Sequence, residues 1–120
     1  MTKKKVLVVD DSACVRQQVS LALRQAGYEV VEAIDGADGL RKILGGDVAM
    51  AICDVNMPHL DGLQMLEAAQ RGGSTVPVVM LTTEGQPAMI ERARRGGARG
   101  WITKPFNAAL LIAAVRKLAG

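Results

Sequence analysis

Residues 6–11, Val-Leu-Val-Val-Asp-Asp, form a short apolar run that ends in two carboxylates. Three later apolar runs also end in a reactive polar residue. They are residues 50–53 before Asp54, residues 78–81 before Thr82, and residues 101–103 before Lys104. If these runs are parallel strands of one sheet, their polar ends share the edge where open α/β sheets bind ligands. The pattern therefore predicts a site built from three carboxylates, a hydroxyl and an ammonium group.

Between the strand-like runs, apolar residues recur at helical spacing. The helical segments are residues 15–26, 37–44, 63–69, 89–93 and 110–118, and Pro87 suits the first turn of the fourth. Residues 29–33 read as a further strand, and their more polar composition places it at a sheet edge. Strict alternation of five strands and five helices predicts an α/β domain over residues 1–120. Its parallel five-stranded sheet is doubly wound, with helices on both faces.

Composition limits the class of protein. Hydrophobic residues make up 49% of the chain and aromatic residues only 2%, so the single core must be aliphatic and rich in methionine. No apolar run approaches the ~20 residues of a membrane span, and no secretory signal is visible, which predicts a cytoplasmic protein. Cys14 and Cys53 are too few for a disulfide framework or zinc site and are expected to be inert, buried thiols. The net charge is +3, but no nucleic-acid recognition motif accompanies it.

The three carboxylates define the chemistry of the predicted edge. Two carboxylates about 4 Å apart repel by about 4 kcal/mol at an effective dielectric constant of 20, so the cluster favours a bound cation. Mg²⁺ commonly combines one or two carboxylates with a phosphate. A carboxylate is also a possible nucleophile that forms an acyl phosphate, stabilised by a metal, an ammonium and a hydroxyl group. Asp10, Asp11, Asp54, Thr82 and Lys104 are therefore predicted to form a phosphoryl site.

The same residues resemble the receiver domain of two-component response regulators, and among these the single-domain chemotaxis regulator. The resemblance spans residues 5–118 and rests on four blocks in the family's order. The blocks are Val-Val-Asp10-Asp11-Ser, Asp54-Val-Asn-Met-Pro58-His-Leu-Asp61-Gly62, Leu-Thr82 and Lys104-Pro105-Phe106. The resemblance implies a flavodoxin-like (βα)5 fold with strand order 2-1-3-4-5 and a cis peptide bond at Lys104-Pro105.

The family's roles can be carried over to matching positions. Asp54 would accept the phosphoryl group from a histidine kinase, while Thr82 and Lys104 would bind its oxygens. The resemblance also implies Mg²⁺ ligands, switch residues and residues that tune hydrolysis. The Mg²⁺ ligands would be Asp11, Asp54, Asp10 through water and the backbone carbonyl of Asn56. The switch residues would be Thr82 and Trp101. Asn56 and Glu84 would tune hydrolysis of the acyl phosphate. The protein would then be a phosphoacceptor with self-catalysed phosphotransfer and autodephosphorylation, not a conventional enzyme.

Output is expected through protein binding, because the sequence ends at Gly120 directly after the predicted fifth helix and no output domain is expected. The resemblance implies a partner surface on the fourth helix, fifth strand and fifth helix. Its candidate residues are Ile90, Arg94, Arg95, Ala98 and Trp101. A flagellar motor switch is the first expected target, with another effector or a phosphatase as further partners. A phosphate sink, a phosphorelay shuttle and the isolated receiver of a larger regulator remain alternatives.

Two departures from the family and two other protein classes complete the interpretation. Trp101 is larger than the usual Tyr or Phe, which opposes full inward rotation. Thr83 is bulkier than the small residue usual at its position, which predicts slower access to Asp54.

An aspartyl phosphatase would need a second acid where Asn56 stands. A flavodoxin would need a glycine-rich phosphate loop and stacking aromatic residues. His59, the only histidine, is expected to be a solvent-facing loop residue.

Overall fold

The computed structural model describes residues 3–120, which form five parallel strands and five helices in strict alternation. The strands are β1 (Lys5–Val9), β2 (Glu29–Ala33), β3 (Met50–Cys53), β4 (Val78–Thr82) and β5 (Gly100–Thr103). The helices are α1 (Ala13–Gln25), α2 (Gly36–Leu44), α3 (Gly62–Arg71), α4 (Pro87–Arg95) and α5 (Ala108–Ala119). The order across the sheet is β2-β1-β3-β4-β5. The flavodoxin-like fold, the edge position of β2 and the cis Lys104-Pro105 bond are thereby confirmed.

The sheet has a buried apolar layer on each face. Because side chains alternate along a strand, Leu7 and Val9 point to one layer and Val6 and Val8 to the other. The first layer packs against α2, α3 and α4, and the second against α1 and α5. The central strands β1, β3 and β4 are almost wholly buried, which explains why they appear in the sequence as continuous apolar runs.

The strand register brings the predicted site residues together at the carboxyl end of the sheet. Val9 pairs with Cys53, so Asp10 and Asp54 follow on neighbouring strands that lie about 4.8 Å apart. Thr82 pairs with Thr103, so Lys104 leaves β5 beside the end of β4. The helices run back from this edge, and each of the five ends with a basic residue in its last turn. These basic residues complement the negative ends of the helix dipoles, far from the carboxylates.

Two glycines fix the loop between β3 and α3. A Cβ atom at Gly62 would lie 1.9 Å from the Asp54 carbonyl oxygen, and one at Gly36 would lie 2.0 Å from that of Leu60. The Gly62 amide also donates a hydrogen bond to the Val55 carbonyl oxygen over 2.9 Å. The backbone on the carboxyl side of Asp54 is therefore held by close contacts in which no side chain fits.

We expect the Gly62→Ala substitution to lower the free energy of unfolding by about 1–3 kcal/mol, because the added methyl group overlaps the Asp54 backbone. Denaturant unfolding of both proteins measures the difference. Gly85→Ala is the matched control, since a Cβ atom there meets no heavy atom within 4 Å. Equal unfolding midpoints for Gly62→Ala and Gly85→Ala would contradict the proposed close contact.

Candidate phosphoryl-acceptor site

Asp10, Asp11 and Asp54 converge at the carboxyl end of the sheet. Each offers one carboxylate oxygen, and the three oxygens lie within 4.8 Å of one another. Asp10 and Asp54 are buried, whereas Asp11 is exposed to solvent. An all-oxygen donor set open to solvent on one side fits a hard divalent cation such as Mg²⁺, which retains several of its waters.

Lys104 lies between two of these carboxylates. Its Nζ donates hydrogen bonds to Asp10 Oδ2 over 2.8 Å and to Asp54 Oδ2 over 2.9 Å. Burial alone would lower the pKa of Lys104, but the hydrogen bonds and charges of Asp10 and Asp54 outweigh it, so the pKa lies above its usual value. Lys104 is therefore a fixed cation whose charge only partly compensates the three carboxylates.

The second oxygen of Asp54 is held by the backbone that follows it. Oδ1 accepts a 2.7 Å hydrogen bond from the Val55 amide and a 3.4 Å hydrogen bond from the Asn56 amide. The Asp54 side chain, only 10% exposed, is thus oriented through both of its oxygens. A carboxylate held in this way needs little reorganisation to react at the oxygen that faces Lys104.

Glu84 in the β4–α4 loop is hydrogen-bonded to three other predicted residues, Asn56, Thr82 and Trp101. The Thr82 hydroxyl is buried and accepts a hydrogen bond from the Glu84 amide over 3.3 Å. The Glu84 carboxylate accepts a 2.9 Å hydrogen bond from Asn56 Nδ2, and the Glu84 carbonyl accepts a 2.9 Å hydrogen bond from Trp101 Nε1. Glu84 therefore links the loop after Asp54 to β5. Trp101 is partly buried against the α2–α3–α4 layer of the core.

The candidate partner residues lie away from the carboxylates. Ile90, Arg94, Ala98 and Trp101 line a shallow, mostly apolar depression between α4 and β5. Arg95 points to Glu91 instead, which also pairs with Arg94. Hydrogen bonding to Arg94 is the main cause that lowers the pKa of Glu91 to about 2, so Glu91 stays charged and partly offsets both arginines. The positive charge of this face is smaller than its arginine count indicates.

Several features differ from what the sequence indicated or could not be read from it. Cys53 is buried and burial raises the pKa of its thiol, but Cys14 is exposed, so the expected burial of both was wrong for Cys14. His59 is exposed in the β3–α3 loop, as expected. Arg16 was not among the predicted site residues, yet its guanidinium group contacts the Asp10 backbone. A charged residue on the apolar stripe of α1 was the available signal.

A family model for the response regulator receiver domain matches residues 6–116, nearly the whole chain. The chain belongs to the response regulator receiver family. The structure of chemotaxis protein CheY4 from Vibrio cholerae is similar, with a TM-score of 0.88 and 39% identity over 98% of this chain and 99% of that one. Such domains are phosphoacceptors in two-component systems, so the aspartyl-phosphatase and flavodoxin alternatives lose their support.

The receiver domain also resembles the corresponding part of longer proteins. It is 35% identical to the transcriptional regulatory protein PrrA of Mycobacterium tuberculosis over 98% of this chain and 51% of that protein. It is 35% identical to the transcriptional regulatory protein CseB of Streptomyces coelicolor over 92% of this chain and 47% of that protein. The chain thus spans about half the length of these relatives. Within the described residues, none of the helices is both long and apolar enough to cross a membrane.

The raised pKa of Lys104 predicts a specific pH dependence of stability. A cation whose pKa is higher in the folded than in the unfolded state stabilises fully below its unfolded value, here 10.5, and loses that effect as the pH rises through the folded value. We expect Lys104→Met to unfold more easily than the wild type at pH 7, because Asp10 and Asp54 lose their shared partner. The difference in the free energy of unfolding between the wild type and Lys104→Met should become smaller above about pH 10.5.

Denaturant unfolding of both proteins between pH 7 and pH 11.5, without divalent cations, measures this difference. Lys117→Met is the matched control, because Lys117 lies exposed in the last turn of α5, at the end of the sheet opposite the carboxylates. A constant difference between wild type and Lys104→Met across the whole range would contradict the assignment.

Proposed function

We propose that Asp54 accepts a phosphoryl group from a phosphohistidine of a partner histidine kinase, with Mg²⁺ bound by the carboxylate cluster. The observation that carries the proposal is the Asp54 carboxylate, oriented through one oxygen by the backbone and through the other by Lys104. Family membership supports it, since receiver domains act as phosphoacceptors.

In the proposed reaction, a carboxylate oxygen of Asp54 attacks the phosphorus atom and the P–N bond to the imidazole breaks. The imidazole leaves with the bonding electrons and takes up a proton, and Asp54 becomes an acyl phosphate. Lys104 and the Thr82 hydroxyl group would bind phosphoryl oxygens. Asp11, Asp54, Asp10 through water and the Asn56 carbonyl would hold Mg²⁺, which supplies positive charge against the phosphoryl oxygens.

The protein's own residues would also govern the lifetime of the acyl phosphate. Asn56 and Glu84, joined by a side-chain hydrogen bond beside Asp54, are our candidates for tuning the attack of water. Thr83 is exposed next to Lys104 and Pro105 on the approach to the site. Its bulk would slow both phosphorylation and hydrolysis.

We further propose that the Thr82 hydroxyl moves toward the phosphoryl group and that Trp101 follows. Glu84 supports this coupling, because its amide donates to Thr82 and its carbonyl accepts from Trp101. The change would reach the depression between α4 and β5, where Ile90 and Trp101 offer an apolar contact beside Arg94. A flagellar motor switch or another effector would bind there, and the likeness to a chemotaxis protein of Vibrio cholerae supports the first.

Phosphotransfer can be tested with a small-molecule acyl phosphate or phosphoramidate in the presence of Mg²⁺. We expect the intact mass of the wild-type protein to rise by one phosphoryl group, and that of Asp54→Asn to stay unchanged. Asp47→Asn is the matched control, because Asp47 lies at the end of the sheet opposite the carboxylates, where its one ion pair among residues 3–120 is with Lys5. A phosphoryl group on Asp54→Asn, or none on the wild type, would contradict the proposal.

The switch can be tested through Trp101, the only tryptophan in the chain. We expect its emission to change on phosphorylation of the wild type and of Thr82→Ser. Thr82→Ala should give less than about half of that change at equal phosphorylation by mass, because it lacks the hydroxyl that accepts from the Glu84 amide and that would bind the phosphoryl group. Thr75→Ala, exposed at the opposite edge, is the control. An undiminished change in Thr82→Ala would exclude this coupling.

A further inference from the structure

Arg16 is an arginine on the inner face of α1, in line with the buried residues Val19 and Leu23. Its side chain is only 15% exposed. An arginine with so little exposure needs acceptors, because its charge and its donors are costly to remove from water. Nη1 donates to the Asp10 carbonyl oxygen over 2.6 Å, and Nε donates to Glu32 Oε1 over 3.2 Å.

The hydrogen bond from Arg16 gives the last polar group of Asp10, its carbonyl oxygen, a partner. The Asp10 amide donates to the Ala33 carbonyl over 3.2 Å, and its carboxylate accepts from the Ser12 amide and from Lys104. Arg16 holds the remaining polar group, the carbonyl oxygen, and so fixes the plane of the Asp10–Asp11 peptide. Asp11 is exposed, and its carboxylate has no hydrogen-bond partner among residues 3–120, so its position follows from this peptide plane.

Glu32, which pairs with Arg16, is itself held by a set of hydrogen bonds from α2. Lys42 on α2 donates to the Glu32 carbonyl over 2.6 Å and to Asp38 Oδ2 over 3.2 Å, and the Ile34 amide donates to the same oxygen. Burial would raise the pKa of Asp38, but the hydrogen bonds from Lys42, Ile34 and Arg41 outweigh it and lower the pKa. Asp38 therefore stays ionised at neutral pH, and this set of hydrogen bonds runs from α2 through β2 to α1.

We propose that Arg16 is a positioning residue that sets the affinity of the carboxylate cluster for Mg²⁺ by fixing the Asp10–Asp11 peptide. This inference rests on the proposed function, because it assumes that Asp10 and Asp11 take part in holding the ion. Groups that orient metal ligands without touching the metal typically change metal affinity by about 10–100-fold when they are removed.

A role of Arg16 through its charge and a role through the position of the Asp10–Asp11 peptide predict opposite changes in Mg²⁺ affinity when Arg16 is replaced. Loss of a cation near three carboxylates should strengthen Mg²⁺ binding if only charge matters. Loss of the hydrogen bond to Asp10 should weaken Mg²⁺ binding if the peptide plane matters. The sign of the change in affinity therefore distinguishes the two roles.

The experiment titrates Mg²⁺ into the full chain and follows Trp101 emission. The Mg²⁺-induced rise in the unfolding midpoint is a second readout of binding. We expect Arg16→Met to bind Mg²⁺ about tenfold more weakly than the wild type. Arg16→Lys keeps the charge but cannot span both acceptors, so it should also bind more weakly. Glu32→Gln, which loosens Arg16 without touching Asp10, should show a smaller loss in the same direction.

Arg24→Met is the matched control, because Arg24 lies exposed in the last turn of the same helix and should leave Mg²⁺ affinity unchanged. Unchanged or tighter binding by Arg16→Met, or wild-type affinity in Arg16→Lys, would overturn the proposal. Unfolding midpoints without Mg²⁺ separate loss of fold from loss of position, and Arg16→Lys decides the question if Arg16→Met does not fold. Absence of Mg²⁺ binding by the wild type would instead refute the proposed function.

Discussion

Repulsion among Asp10, Asp11 and Asp54 determines what the residues around them must supply. Their carboxylate oxygens lie within 4.8 Å of one another, and two charges about 4 Å apart repel by about 4 kcal/mol at an effective dielectric constant of 20. Lys104 offsets part of this cost by hydrogen bonding to two of the three. Its place is set by β5, which lies at the far edge of the sheet from β2. The fold thus brings together charges that are distant in the chain, and the carboxyl end of the sheet keeps a net negative charge.

The rest of the domain stabilises this edge with ordinary apolar packing. Both faces of the sheet are covered by aliphatic and methionine side chains, in keeping with the scarcity of aromatic residues. The central strands that carry Asp10, Asp54 and Thr82 are the most buried elements of the domain. Rigid strands thus support the site, and the loops beyond them supply the groups that touch it.

The fold was predictable because its signals are local. A buried parallel strand shows as an apolar run, and a polar residue directly after it marks the active edge of the sheet. The pairing of side chains was not predictable, because Lys104 and Asp10 stand 94 positions apart and no periodicity records such a contact. Arg16 was missed for a different reason, because its acceptor is the backbone carbonyl of Asp10, a group that every residue carries. Cys14 was misjudged because residue type predicts burial only on average.

The glycines at 36 and 62 also decide which way the domain is free to move. A Cβ atom at either position has no room against the Leu60 or Asp54 carbonyl, so the backbone of the β3–α3 loop is tightly packed. The opposite side is softer: α4 buries only Ala93 and begins without a side-chain cap. A structural change at Asp54 would therefore be accommodated more readily by movement of α4 than by movement of the β3–α3 loop. The tight contacts of Gly36 and Gly62 would in this way set the direction of that movement.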